Sequence, residues 1–140
     1  MKKIICITII LIGTLCSCLT DKKNSREITA DMIDNPSKIE FEDSEFNFGK
    51  MAVGSSIEHS FTFKNTGDTP LLIHSVKAQC GCTIPENWPK HPILPGEEGE
   101  IEVEFNPKSP NKKERKYIAV IANTRPATTK LYLTGEVKGN

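Results

Sequence analysis

Cys80 and Cys82, with Gly81 between them, are the residues of this chain whose type and spacing are best suited to chemistry. In an extended strand, positions i and i+2 project to one face with Cα atoms roughly 6.5 to 7 Å apart, at the edge of disulfide reach. Gly81 lets the backbone bend and close that gap. On chain entropy alone, so small a loop stabilises by about 1.6 kcal/mol before strain is subtracted, so stapling is a weak reason for the pair. A strained bridge is easy to reduce, which is the property of labile or catalytic disulfides. Three readings stay open, in this order: a local clip or two packed small hydrophobes, a redox-active dithiol, and a thiolate site suited to Cu(I). The spacing is not Cys-x-x-Cys and no βαβ pattern surrounds it, which counts against a redox enzyme. His59, His74 and His91 stand at no ligand spacing from the pair, which counts against zinc.

The other candidates are weaker. His59 falls on the apolar face of its strand and reads as a core or rim residue. His74 lies opposite Ile73, and His91 sits in an exposed proline-rich loop. Gly54-Ser55-Ser56 lacks the Gly-x-Ser-x-Gly elbow, and no triad can be assembled by spacing. Glu97-Glu98 and Glu102-x-Glu104 read as solvated turn and strand faces. We therefore assign no catalytic residue, no metal ligand and no cofactor. Trp88, stiffened by Pro85, Pro89 and Pro92, reads first as a cover for one end of the core and second as a partner contact.

The N-terminus supplies a second kind of chemistry. Lys2 and Lys3 precede an apolar run of about a dozen residues, the layout of a secretory signal peptide. A bilayer-spanning helix needs about 20. Leu15-Cys16-Ser17-Cys18 resembles the bacterial lipobox, which implies cleavage before Cys18 and a diacylglyceryl thioether on its sulfur. A further acyl chain on the new amino terminus would make the attachment stable. Leu19, rather than Asp, follows the cysteine, and this favours the outer membrane, with the periplasmic or surface side open. Loss of the first 17 residues removes Lys2 and Lys3 and leaves 16 basic against 18 acidic residues. So mild a negative balance gives no footprint for nucleic acid. The expected partners are membrane lipid, through Cys18, and an unidentified envelope protein or glycan.

Residues 18–37 read as a lipidated tether. They are rich in Asp, Lys, Asn and Ser and carry too little apolar surface to offset their ordering entropy. As a flexible coil of about 20 residues such a segment spans roughly 25 Å. Ile28 and Met32 sit at helical spacing and allow a short helix there. From residue 38 to 138 the pattern has period two. Ile57, Phe61 and Phe63 share one face, Ile101, Val103 and Phe105 another, and Lys130 to Val137 repeats the alternation. Ile39–Phe41 and Phe46–Gly49 supply early strands, and the denser runs Leu71–Val76 and Tyr117–Ala122 read as more central ones. Leu94-Pro95-Gly96-Glu97 suits a type II turn. Roughly seven short strands in about 100 residues predict an all-β, immunoglobulin-like sandwich.

An ordered series of motifs then carries a family resemblance. It runs through Phe46-x-Phe48-Gly49, Phe61-x-Phe63-x-Asn65-x-Gly67, Cys80-Gly81-Cys82-Thr83-x-Pro85, Trp88-Pro89, Ile93-x-Pro95-Gly96, Ile101-x-Val103-x-Phe105 and Leu133-x-Gly135-x-Val137. The series resembles a bacterial lipoprotein family, the domain of unknown function 1573, which implies an immunoglobulin-like sandwich. The departure falls at Ser109 to Lys116, where the family usually has a glycine before the next strand. That sandwich is similar to major-sperm-protein-type domains, which mostly serve as binding modules, and a fold does not fix a function. The expectation is a lipid-anchored cell-envelope module with a binding or structural role, not an enzyme. The alternative is an envelope thiol-disulfide or copper-handling protein that uses Cys80 and Cys82.

Overall fold

The structure, a computed structural model, describes residues 30–79, 82–83 and 87–139. A five-residue helix, α1 (Ala30–Asp34), precedes eight strands: β1 (Ile39–Phe41), β2 (Glu45–Ala52), β3 (Ile57–Asn65), β4 (Ile73–Ala78), β5 (Cys82–Thr83), β6 (Glu98–Phe105), β7 (Asn111–Ala122) and β8 (Thr128–Lys138). They form two four-stranded sheets, in the orders β1-β3-β6-β5 and β2-β8-β7-β4. This is the immunoglobulin-like sandwich, with its first strand shared between sheets. Glu42 N–H still donates to Thr62 O on one sheet, at 3.1 Å, while Ser44 O accepts from Tyr132 N on the other, at 2.8 Å.

The core follows from the alternation. Phe61, Phe63, Ile101, Val103 and Phe105 point inward from one sheet, and Ile118, Val120, Leu131, Leu133 and Val137 from the other. Full burial of each such side chain stabilises by about 1.5 to 3 kcal/mol. Phe48 and Phe105 close the contact between sheets, with ring centroids 5.2 Å apart. Behind Phe48 lies Gly135, where an added Cβ would overlap the Phe48 ring and crowd Gly49 O. Leu94-Pro95-Gly96-Glu97 forms the expected type II turn. Glu97 N donates to Leu94 O at 3.0 Å, and Gly96 takes φ +83°.

Two expectations need correction. Leu71–Val76 is not a central strand: β4 lies at the edge of its sheet, next to β7 alone. Part of its apolar density comes from Leu71 and Leu72, which precede the strand at 0 % and 1 % exposure, Leu71 packing into the core beside Ile73 and Val76 of the strand itself. The second concerns Ser109 to Lys116, where the family usually has a glycine: here Asn111 opens β7, and a register shift lies between Asn111 and Glu114. Past that shift, the buried Glu114 carboxylate pairs with Lys116 Nζ at 2.9 Å. Both line a cleft of about 370 Å³ beneath the β6–β7 turn.

Polar clamps hold the opposite end. Asn65, fully buried, donates through Nδ2 to Thr69 O at 2.9 Å and to Ile93 O at 2.8 Å. Its Oδ1 accepts from Ser37 Oγ at 2.8 Å and Gly67 N at 2.9 Å. Asn123 does the same for the next loop, accepting from Leu72 N at 2.7 Å and donating to Pro70 O at 2.9 Å.

Candidate functional site

Of the cysteine pair, Cys80 lies outside the described residues, as do Gly81, Pro85, Cys18 and the whole signal segment. Cys82 belongs to β5, the two-residue edge strand, where it pairs with Phe105, and Thr83 with Glu104. From Asn87 the chain lies beside β6. Asn87 Nδ2 donates to the Glu102 carboxylate, and Pro89 lies close to Gly99. Ile93 finally pairs with Leu71 through reciprocal 2.8 Å hydrogen bonds. Trp88 is half-buried against the core, its Nε1 buried without a hydrogen-bond partner among the described residues. The Lys90 ammonium lies over its ring.

The histidines are dispersed. His74 and His91 are exposed. His59 sits at the rim between the sheets, stacked on Phe46 at a centroid distance of 3.8 Å and edge-on to Phe61 at 4.6 Å. Among the described residues, no three His, Cys, Asp or Glu side chains converge as a metal site. Burial pushes the His59 pKa below its ordinary 6.5, against an opposing pull from Asp43. Well above pH 6.5 the ring is neutral in both folded and unfolded states. As pH falls through 6.5 the unfolded chain takes the proton first, so stability declines until the folded ring titrates. Tm is therefore expected to fall as pH drops through 6.5, and His59→Leu to remove part of that slope; an unchanged slope would contradict the assignment.

The outer faces of the two sheets differ in charge. On the β1-β3-β6-β5 sheet, Glu98, Glu100, Glu102 and Glu104 face outward along β6, beside Glu58 on β3 and Glu40 on β1. Lys64 lies among them, 3.3 Å from Glu98. The other sheet carries Lys50, Lys77, Lys113, Arg115, Lys130 and Lys138 on exposed positions. Its carboxylates are engaged: Glu45 with Arg115 at 3.4 Å and Glu136 with Lys50 at 3.5 Å. At its centre Tyr117 of β7 pairs directly with Tyr132 of β8. Arg115 lies 4.0 Å over the Tyr132 ring and Lys130 4.9 Å over that of Tyr117. Tyr117 is 37 % exposed. Sequence reading passed over this cluster. Its signal was present as outward positions of two alternating strands, but only the β7–β8 register sets the two rings side by side.

No curated protein matches the chain. Among solved structures it is similar to a protein of unknown function from Porphyromonas gingivalis W83, at 17% identity and TM-score 0.59. That match covers 71% of this chain and 46% of the other, so the chain spans less than half the length of that protein. It is also similar to the ASH/PapD-like domain 7 of human CEP192, at 13% identity and TM-score 0.55, over 75% of this chain and 88% of that one. A third likeness is to the secreted serine protease VesC of Vibrio cholerae, at 14% identity and TM-score 0.55, covering 76% of this chain and 24% of the protease. At such identities these likenesses show the sandwich alone. Residues 39–137 match the family described as protein of unknown function (DUF1573), and the chain belongs to that family.

Proposed function

We propose that this chain is a cell-envelope lipoprotein, anchored through Cys18, whose sandwich serves as a contact module. The contact role rests on one observation: the aromatic and cationic cluster of Arg115, Tyr117, Lys130 and Tyr132 on the outer face of the β2-β8-β7-β4 sheet. Tyr and Arg dominate interface energetics because they bury a large area at low cost in rotamer freedom. Anchoring rests on the lipobox-like Leu15-Cys16-Ser17-Cys18 and on the short apolar run before it. A photoreactive residue at position 117 in living cells should capture an envelope component, be it protein, glycan or lipid. Tyr132→Ala should weaken that capture. If nothing is captured and the purified protein turns over a substrate, the contact reading is wrong. Intact mass of the membrane-extracted protein tests the anchor, since it should begin at Cys18 and carry diacylglycerol.

The rival reading is a thiol-disulfide or copper-handling role for Cys80 and Cys82. It is favoured by the place of Cys82 on a two-residue strand at the sheet edge, paired on one side alone. It predicts that Cys80→Ser abolishes function while leaving Tm unchanged. A potential far below the glutathione range, with no tight Cu(I) binding, would remove it.

A further inference from the structure

The segment that leads into the sandwich is held between the β3–β4 turn, through Asn65 and Thr69, and the tip of the β7–β8 hairpin. Ser37 N donates to Asn123 O at 2.8 Å, and Arg125 Nη2 donates to Ile33 O of α1 at 3.2 Å. Asn123 and Arg125 belong to the turn between β7 and β8, the strands that carry the two tyrosines. The first described residues therefore lie at the end of the sandwich that carries the β7–β8 turn, within reach of one end of the basic sheet.

We infer that the outer face of the β2-β8-β7-β4 sheet lies on the anionic headgroup surface of the membrane that holds the chain. The inference rests on the anchoring reading and names the partner of the contact face. Tyr, Lys and Arg suit a membrane interface, because each has an apolar body that packs among acyl and glycerol groups and a polar tip that stays in water. Lys77, Lys113 and Lys138 have no carboxylate partner among the described residues, so their charge is available to lipid phosphate. Attraction to such a surface fades within about 10 Å, so the cations on the contact face act and those elsewhere do not. The glutamates of the opposite sheet are repelled and turn outward, so both faces favour one orientation. Anchoring makes the contact intramolecular, at an effective concentration of order millimolar, and a weak surface affinity is then enough.

The test uses the mature lipoprotein, extracted and reinserted into vesicles of phosphatidylcholine alone or with roughly a third phosphatidylglycerol. Lysine acylation is followed site by site by mass spectrometry. Lys77 and Lys130 should react at least about fivefold more slowly on the anionic vesicles, Lys64 on the opposite sheet should be unchanged, and high salt should abolish the difference. In a K77E/K130E variant the protection of Lys113 and Lys138 should disappear. Equal rates on both vesicles overturn the inference. So does protection that follows protein density rather than lipid charge, which identifies the acidic sheet of a second copy as the occupant. If intact mass finds no lipid on Cys18, the anchoring reading fails separately. The protein is then tethered to the same vesicles through an N-terminal His-tag on a nickel-chelating lipid: protection of Lys77 and Lys130 on anionic vesicles alone upholds the surface, and equal rates overturn it.

Discussion

Asn65→Ala is expected to lower the free energy of unfolding by about 3 to 5 kcal/mol. The side chain is fully buried and makes four hydrogen bonds, to Ser37, Gly67, Thr69 and Ile93. Each intramolecular bond contributes only about 1 kcal/mol net, but alanine leaves the partners buried without replacement, and that loss is larger. The four partners join the segment before β1, the β3–β4 turn and the strand-like stretch before β6. One substitution therefore loosens three pieces of chain at once. Ser37 Oγ also donates to Thr69 O at 2.8 Å, so Ser37→Ala should give a smaller loss of the same kind. Urea titration should move the midpoint of Asn65→Ala with little change in slope. A loss under about 1 kcal/mol would show that water or a shifted backbone replaces the side chain.

Gly135→Ala is expected to cost about 3 kcal/mol, through overlap rather than cavity formation. The new methyl would enter the volume of the Phe48 ring and approach Gly49 O. Phe48 cannot retreat freely, because its other side packs on Phe105 with the rings 5.2 Å apart. The displaced element is β2, which pairs in parallel with β8 on both sides of a register shift between Asn47 and Gly49. Phe48→Leu should relieve part of the overlap. The G135A/F48L pair should then be more stable than the sum of its singles predicts, by about 1 kcal/mol. Strict additivity would mean that the strand moves instead of the ring. Neither substitution touches the tyrosine face, so contact behaviour should survive wherever the fold does.

Much of the fold was legible in the chain because strand geometry is local. Side chains alternate across a strand by covalent geometry, so Ile57-x-x-x-Phe61-x-Phe63 and Ile101-x-Val103-x-Phe105 announce a buried face without any partner. Pro95-Gly96 carries its turn in its own dihedral preferences. Leu71–Val76 misled for a related reason: apolar density reports burial, and burial arises at the end of a core as readily as at the centre of a sheet. Asn65 stands in the sequence as one position of the Phe61-x-Phe63-x-Asn65-x-Gly67 series, and it closes β3. That its amide also clamps residues 28 positions away in either direction depends on chain arriving from elsewhere.

The candidate site was less legible. Cys80 and Cys82 were found by type and spacing, and the sequence bounds their chemistry through the short loop between them. Tyr117 and Tyr132 stand fifteen residues apart, and a slip of one residue in the β7–β8 register would send one ring to the core. The near balance of charge, 18 basic against 18 acidic residues, likewise conceals how the charges divide between faces. By itself the sequence determined most of the strands and the Pro95-Gly96 turn, and it raised the two-cysteine question and the expectation of an address at Cys18, since each depends on neighbours along the chain. Tertiary structure alone decided which strands lie at edges, which amides clamp the loops, and that one sheet presents carboxylates and the other cations around two tyrosines. Those depend on pairing between distant segments, whose register is set by packing of the whole core.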